Sequence, residues 1–207
     1  MTEAGTSDEV RRLEELWAGE HGNEYVDRNF EAYAKRGPWW QKMIAQTSPT
    51  RVLEVGCNVG GNLRYIAKEA PDAQIYGIDI NRKALGIVKD IVPDGNFMLE
   101  HASELPFRDG WFDFAFTMGV LIHQPDDSLE TVMSEIVRVS RKYVMCGEVY
   151  SPERNSIPYR GIPESFIGRD YGGIYQKIAP ELTLVDSGEM GKDQDFDTLH
   201  FWLFEKK

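Results

Sequence analysis

Between Asp8 and Trp17 the apolar residues Val10, Leu13, Leu16 and Trp17 fall on one helical face, and Ser7 or Asp8 stands where a cap is needed. A second helical stretch is expected through Phe30 and Tyr33, and a third from Trp39 to Gln46 after the Gly37-Pro38 break. Beyond Ser48-Pro49 the period changes. Short β-rich runs (RVLEV, QIYGIDI, NFMLEHA) alternate with amphipathic ones (NLRYIAKEA, RKALGIVKDIV), which predicts a βαβαβ unit and a parallel sheet. FDFAFTMGV reads as a fourth strand, Asp127 to Val139 as a helix and YVMCGEV as a fifth strand. After a Pro/Gly-punctuated stretch from Ser151 to Gly173, LTLVDSGEM and TLHFWLFEK read as two more strands joined by the polar loop Gly191 to Asp197. They are expected to form an antiparallel pair on the sheet edge.

The 207 residues suit one α/β domain of the doubly wound type. Its parts are a helical cap at 1–48, a ligand-binding core at 51–149, and a substrate-side loop with the last strands at 150–207. A net charge of -11 makes phosphate polyanions unfavourable partners, which sets nucleic acids aside. Cys57 and Cys146 sit in apolar strand contexts with no metal spacing, so neither a disulfide framework nor a bound metal is expected, and a reducing cytoplasm fits. The first residues lack the apolar core of a signal peptide, and no apolar run approaches the roughly 20 residues that span a bilayer, so no membrane partner is expected.

The chemistry centres on RVLEVGCNVGGNL and the strand after it. Gly56 and Gly60 fall at the carboxyl end of the first strand, where a doubly wound sheet binds its ligand beside a helix amino terminus. A dinucleotide fingerprint would place glycine at position 58, which is Asn, and Glu54 just before the turn would repel a pyrophosphate. A carboxylate there suits a ligand carrying an ammonium and no phosphate, as S-adenosylmethionine does. Asp79 ends the second strand, where a carboxylate accepts both ribose hydroxyls.

The run from Val52 to Leu63, Asp79, "ASELPF" from Ala102 and "FDFAFTMGVLIH" from Phe112 together resemble the class I S-adenosylmethionine-dependent methyltransferases. The blocks LWAGEHGNEYVDRN, EVGCNVGGNL, GVLIHQPDD and EVYSPERNSIPYRG further resemble the pseudaminic acid biosynthesis-associated methylases. The resemblance implies a Rossmann-like sheet of seven strands, mostly parallel with the last antiparallel. It also implies S-adenosylmethionine as cofactor and S-adenosylhomocysteine as product. It assigns Glu54, Gly56, Cys57, Asn58, Gly60 and Asn62 to the methionine end, Asp79 and Ile80 to ribose and adenine, Ala102 and Ser103 to the adenine flank, and Met118 and Gly119 to the sulfonium. One departure is His101, where many members carry an Asp for the adenine amino group.

The acceptor side is read from residue chemistry. His123, after GVLI, could take a proton near neutrality, or could simply orient its loop. Glu148 and Tyr150 end the fifth strand, where a carboxylate could bind an amine or remove a hydroxyl proton. Tyr159, Arg160 and Arg169 lie in a long aromatic loop, and a guanidinium there suits an acidic or nucleotide-linked sugar, unless it is spent on Glu164 or Asp170. Tyr25, Arg28, Trp39 and Trp40 are candidates to close over the site. The expected activity is methylation of an oxygen or nitrogen of a small molecule, with a homodimer as the expected assembly. Rivals are intramolecular displacement releasing methylthioadenosine, a non-catalytic S-adenosylmethionine-binding protein, and a NAD dehydrogenase.

Overall fold

A computed structural model describes residues 7–29, 33–157, 162 and 165–207. Seven strands form one sheet in the order β3-β2-β1-β4-β5-β9-β8. In chain order these are β1 (Arg51–Val55), β2 (Gln74–Asp79), β3 (Asn96–Leu99), β4 (Phe112–Met118), β5 (Ser140–Glu148), β8 (Leu182–Met190) and β9 (Leu199–Lys206). The short β6 (Asn155–Ser156) and β7 (Ile167–Gly168) pair separately. β1 to β5 run parallel, and β9 is antiparallel to both β5 and β8. The last two strands are therefore not both at the edge: β9 inserts between β5 and β8, and its Phe201, Leu203 and Phe204 are buried.

Helices cover both faces, which is why the central strands read as continuous apolar runs. α3 (Gly37–Thr47), α4 (Leu63–Glu69) and α5 (Arg82–Ile91) lie over one face, where Trp40, Met43, Val52, Ile66, Phe114 and Phe116 form a core. α6 (Asp126–Val139) and α7 (Tyr171–Ile178) cover the other, with Leu53, Val55, Met133, Ile136, Tyr171 and Tyr175 buried between. Deleting a buried aromatic of this kind costs about 3–5 kcal/mol.

Three elements differ from the sequence reading. α1 (Asp8–Ala18) is followed at once by α2 (Glu20–Asn29), so the second helix comes earlier than expected. Tyr33 lies in a turn, and Phe30 is outside the described residues. α3 begins at Gly37 because Pro38 is tolerated in the first turn, where its missing N–H costs nothing. α7 begins inside the Pro/Gly-punctuated stretch, for which no helix is expected. Its Tyr-Gly-Gly start has poor helix propensity, but Asp170 caps it by accepting from the Gly173 N–H, and Tyr171 and Tyr175 are fully buried. Among the described residues no helix is long and apolar enough to cross a membrane.

Candidate active site

A cavity of about 240 Å³ opens at the carboxyl ends of β1, β2 and β4, beneath α1 and α2. The turn after β1 forms its floor. Gly56 and Gly60 both have φ +76°, and Asn58 has φ +45°. The Gly56 and Cys57 N–H groups donate to the Ile78 carbonyl, tying the turn to β2. A side chain at Gly56 would meet Val120 at 2.4 Å, and one at Gly60 would meet Val88 at 2.5 Å. Gly60, expected among the ligand contacts, is off the cavity wall, and its bare backbone makes room for Val88 of α5. Gly56, Cys57, Asn58 and Asn62 do line the cavity; burial pushes the Cys57 thiol up, keeping it neutral.

Two carboxylates dominate the floor. Glu54 is buried; its Oε1 accepts from Asn62 Nδ2 at 2.6 Å, while Oε2 has no hydrogen-bond partner among the described residues. Burial pushes its pKa to about 8, against the pull of Asn62 and Arg36. Asn62 is fixed in turn, because its Oδ1 accepts from Arg36 Nη1 at 2.8 Å and Trp40 Nε1 at 3.2 Å. Trp40 is thus a fully buried prop behind the wall, not a lid or a ligand contact. Asp79 accepts from the Asn58 N–H through Oδ2 and the Asn81 N–H through Oδ1, both at 2.8 Å, which leaves lone pairs on each oxygen. Burial raises its pKa, opposed by those N–H donors.

Ile80, Ala102, Ser103, Met118 and Gly119 also line the cavity. Gly119 has φ +69°, and a side chain there would meet nothing within 4 Å, so the end of β4 faces open space. His101 points elsewhere: its Nδ1 lies 2.9 Å from Glu14 Oε1, and its neighbour Glu100 takes the place on the wall.

His123 is on the wall, in the 3-10 turn Leu121–His123. Its Nδ1 is 2.5 Å from the Ser165 carbonyl, which assigns the proton to Nδ1 and the lone pair to Nε2. Burial lowers its pKa to about 4. A ring this reluctant to hold a proton is suited to accepting a hydrogen bond rather than acting as a proton reservoir.

The remaining candidates move out of the site. Glu148 is fully buried, accepts from Thr117 Oγ1 and the Val120 N–H through Oε1, and accepts from the Ile122 N–H through Oε2. It is absent from the wall, so it pins the turn carrying Gly119 and His123 instead of meeting an acceptor. Tyr150 is half exposed beside His200 and Trp202, also away from the cavity. Arg169 is buried and spent on Asp126 and the Gln124 carbonyl, neither of the acids expected for it, because its strand position aims it at the start of α6. Arg28 is exposed beside Glu24 on the outer side of α2; Tyr25 does reach the wall. Tyr159 and Arg160 lie outside the described residues.

The sequence reading missed several wall residues: Trp17, Tyr33, Arg36 and Phe166 among them. Arg36 precedes Gly-Pro in no recognisable motif. Trp17 fell on the apolar face of α1 and was indistinguishable from core. Among the described residues no three His, Cys, Asp or Glu side chains cluster closely enough to hold a metal ion.

Residues 52–143 match the model of the methyltransferase domain family. The matched segment holds the whole turn, both floor carboxylates and His123. Over 102 residues the chain is 34% identical to a probable tocopherol O-methyltransferase of Oryza sativa subsp. japonica, covering 46% of this chain and 27% of that one. Over 78 residues it is 33% identical to the demethylmenaquinone methyltransferase of Thermotoga maritima, covering 36% and 34%. The match thus spans about a third or less of each of these relatives. Among solved structures, the 1,6-didemethyltoxoflavin-N1-methyltransferase of Burkholderia thailandensis, with its substrate and S-adenosylhomocysteine bound, superposes with a TM-score of 0.74 at 16% identity. That likeness, over all of this chain and 93% of the other, is one of fold.

Proposed function

We propose that this protein is an S-adenosylmethionine-dependent methyltransferase acting on an oxygen or nitrogen of a small molecule. The observation that carries the reading is the buried Glu54 Oε2, which lacks a partner on the floor of a cavity that also contains Asp79. An uncompensated buried carboxylate oxygen is costly, and an ammonium placed against it removes the cost. Asp79 retains capacity for two ribose hydroxyls, Ala102 and Ser103 stand ready for adenine, and the bare backbone at Gly119 leaves room for the sulfur. When bound, S-adenosylmethionine supplies an electrophilic methyl group. The chain's own residues align the acceptor, exclude water beneath α1 and α2, and offer His123 Nε2 to its O–H or N–H.

The matched family and its small-molecule relatives support the same reading. A sugar acceptor of the acidic or nucleotide-linked type rests on the sequence resemblance alone, with Arg160 as its remaining candidate grip. The described wall disfavours it, since Glu14, Glu100 and Asp197 join the two floor carboxylates there.

Titration calorimetry with S-adenosylmethionine, S-adenosylhomocysteine and NADH tests the cofactor. Micromolar binding of the first two is expected; binding of NADH alone would overturn the reading. Incubation with an acceptor pool then distinguishes transfer, which yields S-adenosylhomocysteine, from intramolecular displacement, which yields methylthioadenosine.

A further inference from the structure

The cavity has a second wall that the cofactor's polar groups do not explain. Trp17 of α1, Tyr25 of α2, His123 and Phe166 line it from the cap, the turn after β4, and the segment leading into β7. Their rings form a chain of contacts: Trp17 lies 5.4 Å from Tyr25 and 4.3 Å from His123, and His123 lies 5.8 Å from Phe166, centroid to centroid. The Trp17 indole N–H is buried and has no hydrogen-bond partner among the described residues. Buried donors are nearly always paired, so an unpaired one in a residue that lines the cavity points to an acceptor atom supplied from outside.

Trp17 is also held in place. Asn81 Nδ2 donates to its carbonyl at 3.0 Å and to Asn23 Oδ1 at 3.1 Å, while Asn81 Oδ1 caps α5 through the Ala84 N–H. Gly22 is required beside it, since a side chain there would stand 1.8 Å from the same carbonyl. A packed, pre-positioned indole loses little entropy when a ligand arrives.

Charge narrows the class of ligand. Arg36 is the cation of the described wall, and it is committed to Asn62 and the Asp195 carbonyl and stacked on Tyr33 and Phe196. Aromatic faces beside carboxylates repel an anionic acceptor and stack against a flat neutral one.

Building on the methyltransferase reading, we propose that Trp17, Tyr25, His123 and Phe166 form the acceptor subsite, which takes a planar, largely apolar molecule. Its oxygen or nitrogen accepts from the Trp17 N–H.

The test uses the full chain saturated with S-adenosylhomocysteine, titrated by calorimetry and tryptophan fluorescence with 6-hydroxyquinoline and, separately, with N-acetylneuraminic acid. The planar probe is expected to bind and the sugar acid to bind more weakly or not at all. Trp17→Phe keeps a ring and removes the donor; it is expected to weaken the planar probe about five-fold, as for one lost hydrogen bond, with S-adenosylhomocysteine affinity within about two-fold of wild type. Trp17→Ala is expected to weaken it further. Tighter binding of the sugar acid, no binding of the planar probe, or an unchanged affinity in Trp17→Phe overturns the subsite while the cofactor reading stands. Failure of S-adenosylhomocysteine itself to bind removes both.

Discussion

Replacing Asp79 with Ala would remove more than the two ribose contacts proposed for it. The same oxygens accept from the Asn58 and Asn81 N–H groups, so the substitution also strips partners from the turn that shapes the floor. Loss of two charge-assisted hydrogen bonds is expected to weaken S-adenosylhomocysteine binding by about 2–4 kcal/mol. A lower melting temperature should accompany it. Calorimetry and a thermal melt check both, and an unchanged affinity would displace Asp79 from the ribose site. His123 makes a second residue-level prediction. Because burial depresses its pKa to about 4, its ring signals in an NMR titration should stay in the neutral form down to about pH 5. A midpoint near 6.5 would show a solvated ring able to act as an ordinary base.

Elements explain why some candidates could be read from the chain and others could not. Glu54, Gly56, Asn58 and Asp79 belong to a strand–turn–helix–strand unit whose place at the cavity is written in local spacing, so a one-dimensional reading reaches them. Glu148 looked catalytic for the same positional reason, at the carboxyl end of a central strand, yet its carboxylate turns into the fold and collects three donors from the end of β4 and the turn after it. Only the pairing of β4 with β5 reveals this. Trp17 and Arg36 acquire their places from helices folding back over the sheet, which no local pattern encodes. The alternation of strands and helices was legible because each buried parallel strand must be apolar throughout. α7 was not, because its stability lies in the burial of Tyr171 and Tyr175 rather than in propensity. Two substitutions test this division. Glu148→Gln leaves one buried N–H or O–H facing an amide NH2 in place of a carboxylate oxygen, which should cost about 1–3 kcal/mol of stability by denaturant titration. Arg169→Ala should likewise lower the melting temperature, by releasing the segment before α7 from Asp126, without the selective loss of acceptor binding that a substrate grip would show.

The whole molecule couples its stability to pH through the same buried groups. Glu54 titrates near 8 and Glu148 near 7 in the ligand-free fold, both raised by burial above the ordinary carboxylate value near 4.5. Their contribution is complete below about pH 4.5 and is lost as pH rises to about 7 and 8, because over that range the folded state holds protons that the unfolded chain has released. His123 works in the opposite sense: its contribution is complete above about 6.5 and is lost as pH falls through about 4. Between 6.5 and 8 the carboxylates act alone, so the ligand-free protein should lose stability with rising pH. The ammonium proposed to meet Glu54 would reverse that residue's share by favouring its ionised form. Binding of S-adenosylhomocysteine below pH 8 should therefore release a proton, and its affinity should rise up to tenfold for each unit from pH 6 to 8. At a fixed saturating concentration each unit adds up to about 1.4 kcal/mol of ligand-induced stabilisation, or about 3–6 °C in a chain of this size. Glu148 lies off the cavity wall and remains as it was, so its share cancels between the free and bound states. Thermal melts at pH 6, 7 and 8, with and without S-adenosylhomocysteine, should show a widening gap. In Glu54→Gln, which cannot ionise, the gap should be smaller and flat with pH. A gap in the unsubstituted chain that does not change with pH would mean that the ammonium meets another group, and Glu54 would return to a structural carboxylate bonded to Asn62.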